Sequence, residues 1–431
     1  MRGLFGLATA AVAAFVTGSL ARPLVVQPGT ANDIVITEHN TLNSTAKVAA
    51  EGNNPLQIEI VNNFGANQMY LYITGMDSNG VACLVSSDGS FFYPDAGGMA
   101  TPVPIDGDFK IPLGGMGSTT SIKVPDFLIS SRIWVSEGEL QFFTLVTGEG
   151  RTAIVEPAPT NPQDPSASIK WGFVEFNWND GQVYANITYV DWVGISMGMA
   201  LTLASGQTQI VKGLKGGSVQ NICDDLNAQN GKDSAGWDKL CQTNENGEAL
   251  RVLSPNLYIA SNPTWQPDYY NGYIDTVWSK YASEDLTIAT QSDAGDVKCR
   301  VSGDQLSCDG DNRAYPKPTI ADVYGCNSGP FAIIESDNGV HRAIVPRLCA
   351  AFHRSTLLLD GGNVQPKLTA ANYYTADPTS HYARIVHVYE EDGLGYAFSY
   401  DDINPEGENA SGTVAGQGPT LLRVTAGGWS D

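Results

Sequence analysis

Between about residues 56 and 210 the apolar positions come in short runs, often alternating with polar ones and broken by Gly, Asn, Asp and Pro. Gln57-Ile-Glu-Ile-Val61, Met69-Tyr-Leu-Tyr-Ile73, Ser121-Ile-Lys-Val124 and Leu140-Gln-Phe-Phe-Thr-Leu-Val146 are examples. Runs of this length and period predict strands that bury one face, and the recurring turn clusters predict an antiparallel sandwich or barrel. Pro157 to Pro165 reads as a Pro-rich loop leading into the next strand. The period changes after Lys212. Val219, Ile222, Cys223 and Leu226 recur at helical spacing, as do Ile274, Val277, Trp278 and Tyr281. Leu348, Cys349 and Phe352 predict a third helix with Pro346 in its first turn. After about Tyr373 strands are expected again, at Ala383–Val388 and Thr420–Val424. The expected architecture is mainly β: a β domain made of residues 22–212 and 373–431, with a mixed α/β region inserted at 213–372. A groove between the two parts is the default place for a polymer.

The first 21 residues change the picture of location. Arg2 gives a positive start, Leu4 to Val16 is almost wholly apolar or small, and Ser19-Leu20-Ala21 offers small residues for cleavage. That is the pattern of a secretory signal, so the mature chain is expected to start near Arg22, outside the cell and not in a membrane. Acidic residues number 46 against 24 basic ones. A balance this negative argues against nucleic acid as a partner and is compatible with a neutral polymer. No partner chain is implied, and a monomer is expected.

Cysteine usage fits an oxidising compartment. Cys299 and Cys308 flank a short segment with Gly303, Asp304 and Gln305 at its turn, so they are expected to close a hairpin. Cys223 with Cys241 and Cys326 with Cys349 are the next expected pairs. Cys83, in the apolar run Val81–Val85, is expected to be a buried free thiol. Sequons occur at Asn43, Asn186 and Asn409; the first and last lie in loop-like sequence, whereas Asn186 lies in a strand-like run.

The segment from Trp171 to Gly194 carries the candidate chemistry. Glu175 sits between Val174 and Phe176, and Asp191 between Val190 and Trp192. Apolar neighbours can desolvate a carboxylate and raise its pKa, the condition for holding a proton near neutral pH. The alternative is a solvent-facing alternation with no chemistry. A two-residue turn at Asp180-Gly181 would set Glu175 opposite Asn186. Asp191 would then lie roughly 16 Å further along at about 3.3 Å per residue, too far for a catalytic pair. The two can converge only if the turn is wider, centred near Val183, or if the strands bend. Carboxyls about 6.5–9.5 Å apart leave room for a water and imply inversion, whereas about 5–5.5 Å implies a covalent, retaining route.

The same segment resembles the signature of glycoside hydrolase family 64, endo-β-1,3-glucanases of the laminaripentaose-producing type with a thaumatin-like β core. The resemblance rests on Val174-Glu-Phe176, Ala185-Asn-Ile-Thr188 and Tyr189-Val-Asp-Trp-Val-Gly194. It is extended by His381-Tyr-Ala-Arg-Ile-Val-His387, Tyr396-Ala-Phe-Ser-Tyr-Asp-Asp402 and Gly272-Tyr-Ile274 with Val277, Trp278 and Tyr281. It implies an inverting hydrolase that needs no cofactor, with Glu175 as general acid and Asp191 as general base acting on β-1,3-glucan. It also implies sugar contacts at Asn177, Asn179, Tyr184 and Thr188. The family pattern has threonine at the Asn177 position and tryptophan at the Tyr184 position, so product length is not carried over. Turn or strand packing is the other role open to each of the four.

Further candidates are weaker. Asp401 would line an acidic cleft as a substrate contact, while Asp402 would either join it or cap the Asn404-Pro405 turn. Trp265, in an aromatic-rich stretch with Tyr269, Tyr270 and Tyr273, would offer a stacking face to sugar, or else be core. His381 and His387 would share a strand face, but no third residue at ligand spacing supports a metal. A glucan-binding or defence protein without turnover remains the rival reading, because the same fold hosts both. A structural wall protein is the third.

Overall fold

The computed structural model describes residues 55–65, 68–179 and 181–430; the expected signal segment and Asn43 lie outside the described residues. The first described strand, Leu56–Asn62, alternates buried and half-buried positions along its length, as its sequence alternation requires. It pairs in parallel with Pro419–Ala426, Gln57 lying beside Leu421. The two ends of the described chain therefore share one sheet, in the order Thr208–Val211, Met197–Leu203, Pro419–Ala426, Leu56–Asn62, Thr119–Val124.

A larger antiparallel sheet carries the candidate site. Its consecutive neighbours are Thr413–Gln417, Gln182–Asn186, Lys170–Asn179, Leu128–Glu137 and Met69–Asp77. One face of it, including Ile73, Ile133, Val135, Val174, Phe176, Val183 and Ala185, joins Ile58, Ile60, Met199 and Val424 of the first sheet in a continuous core. The other face carries the aromatic cluster of Tyr72, Trp134, Trp171 and Phe173. A one-residue slip of strand 170–179 would turn Val174 and Phe176 out of the core. Each such side chain contributes about 1.5–3 kcal/mol by burial, so the register that points Glu175 away from the core is strongly fixed.

Helices Ser218–Asp233 and Asn271–Ser283 present the expected faces, burying Ile222, Cys223 and Leu226 in one and Tyr273, Ile274, Val277, Trp278 and Tyr281 in the other. The pairs Cys223–Cys241, Cys299–Cys308 and Cys326–Cys349 are disulfide-bonded, and Cys83 is buried and free. Asn186 is 8% exposed whereas Asn409 is in an exposed loop, so only the latter offers its amide to a glycosylating enzyme.

Three expectations about local structure change. The segment His381–Tyr389 is a helix, not a strand. Its β-branched run suggested a strand, but Ser380 accepts a hydrogen bond from the Ala383 amide and caps the first turn. Tyr382, Ile385 and Val386 then fall on one buried stripe. His381 and His387 consequently do not share a strand face; they reach different carboxylates, Asp377 and the pair Glu390 and Asp401. The helix around Pro346 starts earlier, at an Asn338 cap, and runs Gly339–His353 with Pro346 in its interior. Of the run from Leu140 to Val146 only Phe143–Val146 is a strand.

Candidate active site

Antiparallel register lines up one row of side chains across the large sheet. Thr74 pairs with Arg132, Arg132 with Glu175, Glu175 with Asn186, and Asn186 with Thr413. The neighbouring row on the same face holds Asn177, Tyr184 and Ala415, and the row on the other side holds Tyr72, Trp134 and Phe173. Glu175 thus stands where an aromatic wall gives way to polar side chains.

Its closest partner is Arg132. Nε and one terminal nitrogen of Arg132 donate to the same oxygen, Oε1 of Glu175, at 3.2 and 3.0 Å. The other terminal nitrogen of Arg132 binds Glu156 Oε2. Glu156 is 4% exposed and is supported from behind: Trp134 Nε1 donates to Thr74 Oγ1 at 3.0 Å, and the Thr74 hydroxyl donates to Glu156 Oε1 at 3.3 Å. The guanidinium stacks over the Phe173 ring, 4.6 Å from its centre. Burial raises the Glu156 carboxyl above its ordinary value against the lowering pull of Arg132.

The hairpin register of Glu175 with Asn186 is the one that, for straight strands, separates Asp191 from Glu175. The chain leaves this strand at Asn186. The Ile187 amide donates to Gly412, and the Tyr189 amide donates to the Tyr396 carbonyl. Trp192 then pairs with Leu253 in a short ladder. The crossing segment passes over the face that bears Trp171, Phe173 and Glu175, with the Trp192 ring 4.8 Å from that of Trp171 and 5.1 Å from that of Phe173. Only glycine fits at position 194, because a Cβ there would lie 2.0 Å from the Trp171 carbonyl oxygen. The Asp191 carbonyl accepts the Ser254 amide at 2.8 Å, which anchors the crossing at the cap of helix Pro255–Ser261.

Asp191 is brought within the field of both Arg132 and Glu175. Partial burial raises its carboxyl to about 6; Arg132 opposes this and the Glu175 charge adds to it. One guanidinium therefore serves three carboxylates, Glu156, Glu175 and Asp191. Their combined charge exceeds that of the cation, which favours retention of a proton within the cluster at mildly acidic pH.

Of the expected sugar contacts, Asn177, Asn179, Tyr184 and Thr188 are all half-buried. The Asn177 carbonyl oxygen accepts the Ser130 amide at 2.5 Å, leaving its amide group for other partners. The Tyr184 hydroxyl lies 3.4 Å from Thr413 Oγ1, and Thr188 Oγ1 accepts the Val190 amide at 3.2 Å.

Two expected contacts lie elsewhere. Asp401 is 1% exposed, gripped by Arg354 at 2.9 Å, His387 Nε2 at 2.9 Å and the Ala397 amide at 2.8 Å. Burial opposes its ionisation, but His387 and Arg354 outweigh burial and hold the carboxyl below its usual range. His387 is held in turn: burial alone would lower its pKa, yet Asp401 and Glu390 raise it to about 10. This is a structural clamp with no face left for a sugar. Its neighbour Asp402 is the half-buried one, raised to about 6 by burial and by the Asp401 charge, and its field reaches Tyr184 and Tyr396. Trp265 is 6% exposed; its ring packs on Trp237, Tyr258 and Tyr324, and Nε1 donates to the Gly236 carbonyl. It is core and offers no stacking face.

Sequence reasoning missed Arg132 and Glu156. The available signal was a carboxylate closing the apolar run Ala153-Ile-Val155 just before Pro157, since a buried charge demands a partner.

With this geometry in view, comparison with known proteins defines the class. The β-1,3-glucanase model of glycoside hydrolase family 64 matches residues 54–426, and the chain belongs to that family. A glucan endo-1,3-β-glucosidase of Arthrobacter sp. (strain YCWD3) is 29% identical over 354 residues, covering 81% of this chain and 61% of the relative. The chain thus spans about three fifths of that relative's length. Among solved structures, a laminaripentaose-producing β-1,3-glucanase in complex with laminaritetraose is 30% identical, with a TM-score of 0.73 over 86% of this chain and 98% of that one. A β-1,3-glucanase domain from Clostridium beijerinckii shares the fold at 20% identity, with a TM-score of 0.66 over 88% of this chain and all of that one.

Proposed function

We propose that the chain is a secreted endo-β-1,3-glucanase that hydrolyses internal linkages with inversion. The observation that supports this best is the placement of Glu175 and Asp191 over one sheet face, both within the field of Arg132. Glu175 donates its proton to the glycosidic oxygen as the bond to the anomeric carbon breaks. Asp191 takes a proton from water attacking that carbon on the opposite face, and the developing oxocarbenium character lies between the two. Asn177, Asn179, Tyr184 and Thr188 hold sugar hydroxyls and rings along the polar side of the row. The match to a glucanase solved with laminaritetraose supports a β-1,3-glucan as substrate. The N-terminal signal pattern and three disulfides support secretion; among the described residues no helix is long and apolar enough to cross a membrane. The elements of 213–372 are proposed to form the second wall of the groove.

A base must be ionised to act. With the Asp191 carboxyl raised to about 6, kcat/KM on laminarin is expected to fall about tenfold per pH unit below that value. A pH profile from reducing-end release checks this. A profile with no break near pH 6 would take Asp191 out of the reaction.

A further inference from the structure

Arg132 grips Glu175 in a lopsided way. Two of its nitrogens converge on Oε1 and none reaches Oε2. A guanidinium left to itself meets a carboxylate fork to fork, engaging both oxygens. Here the third nitrogen is tied to Glu156, which fixes where the guanidinium sits beside Glu175. Glu156 cannot swing away, because its other oxygen is held by Thr74, whose hydroxyl is itself held by Trp134. The Phe173 ring beneath the guanidinium fixes its plane.

We propose that Glu156 and Arg132 are positioning residues for the reaction: Glu156 holds the guanidinium so that it orients Glu175 through Oε1 alone and leaves Oε2 free for the glycosidic oxygen. This rests on the reading of Glu175 as the acid. The arrangement has an electrostatic side. A cation bonded to one carboxylate would strip its proton, whereas a cation divided between two carboxylates pulls less on each. Glu156 thus offsets part of the Arg132 charge that faces Glu175. The charged and titratable groups facing Glu175 are Arg132 from strand 128–137, Glu156 beyond strand 152–155, Asp191 from the crossing segment and Tyr184 from strand 182–186.

The test is the pH profile of kcat/KM on laminarin for Glu156→Gln, Glu156→Asp and Arg132→Gln, with Tm measured for each. Glu156→Gln keeps the shape and removes the charge, so Arg132 acts undivided on Glu175. The limb of the profile set by Glu175 is expected to move down by about one pH unit, with KM nearly unchanged. Arg132→Gln should move it the opposite way. Glu156→Asp restores the charge and should bring the limb back toward wild type. A merely structural role would lower Tm or the active fraction and leave the limbs in place, and folded variants with unmoved limbs would overturn the proposal. Glu175→Gln, run alongside, separates the two ideas. If it retains full turnover the acid assignment fails and takes the proposal with it; if it is inactive while the Glu156 variants keep the wild-type profile, only the positioning role fails.

Discussion

Glu175→Gln is expected to lower kcat on laminarin by about a thousandfold, with KM and Tm close to wild type. Gln is nearly isosteric, and its carbonyl oxygen can still accept from Arg132, which bonds only one oxygen of the native side chain. Folding and glucan binding should therefore survive. What is lost is the proton for the departing sugar hydroxyl, and general acid catalysis contributes roughly 10²–10⁴-fold. The substrate dependence makes the test sharper. In an aryl β-glycoside of a β-1,3-linked oligomer the aryl group leaves as a stabilised phenolate and needs little protonation, so turnover of that substrate should fall far less. Steady-state kinetics on both substrates checks this, and a kcat within about tenfold of wild type on laminarin would remove Glu175 from the role of acid.

Asp191→Ala is expected to lose turnover comparably, by about a hundredfold to a thousandfold, on every substrate. A base that activates water is needed whatever the leaving group, so the aryl glucoside offers no relief. The truncation opens space beside the anomeric carbon, and added azide, which needs no base, should restore cleavage of the aryl substrate. The product would be an α-glycosyl azide, because attack comes from the face opposite the bond that breaks. Rescue with a β-glycosyl azide would place Asp191 on the other side of the sugar and contradict its assignment. Asp191→Asn serves as the shape-conserving control, and its loss should match that of the alanine variant without rescue.

Much of this site could be read in the chain, and the parts that could not share a physical cause. Strand alternation placed Glu175 on the face opposite Val174 and Phe176, because period two is a local property of the backbone. That Asp191 comes within the field of Glu175 was beyond pattern reasoning. It depends on the chain leaving the sheet after Asn186 and on the close contact of Gly194 with Trp171, and both are long-range. Arg132 lies in strand 128–137 and Glu156 just after strand 152–155, and topology rather than spacing brings them together. Asp401 misled because an Asp-Asp pair in sequence does not say which member faces inward. Arg354 and His387 decide it, from residues 47 and 14 positions away. Trp265 misled because an aromatic stripe has the same composition whether it lines a groove or fills a core. The strand expected at Ala383–Val388 yielded to a serine cap and a buried stripe at helical spacing. The disulfides were more tractable, since Cys299 and Cys308 sit directly opposite each other across a hairpin.

The central claim is that this chain hydrolyses β-1,3-glucan with inversion through Glu175 and Asp191. Incubating purified protein with laminarin, and following the anomeric proton signals by NMR in the first minutes, tests it most directly. The account predicts short β-1,3-linked oligomers whose new reducing ends appear first as the α-anomer and then mutarotate. First appearance of the β-anomer would contradict inversion, and binding to insoluble glucan without any released sugar would contradict hydrolysis itself.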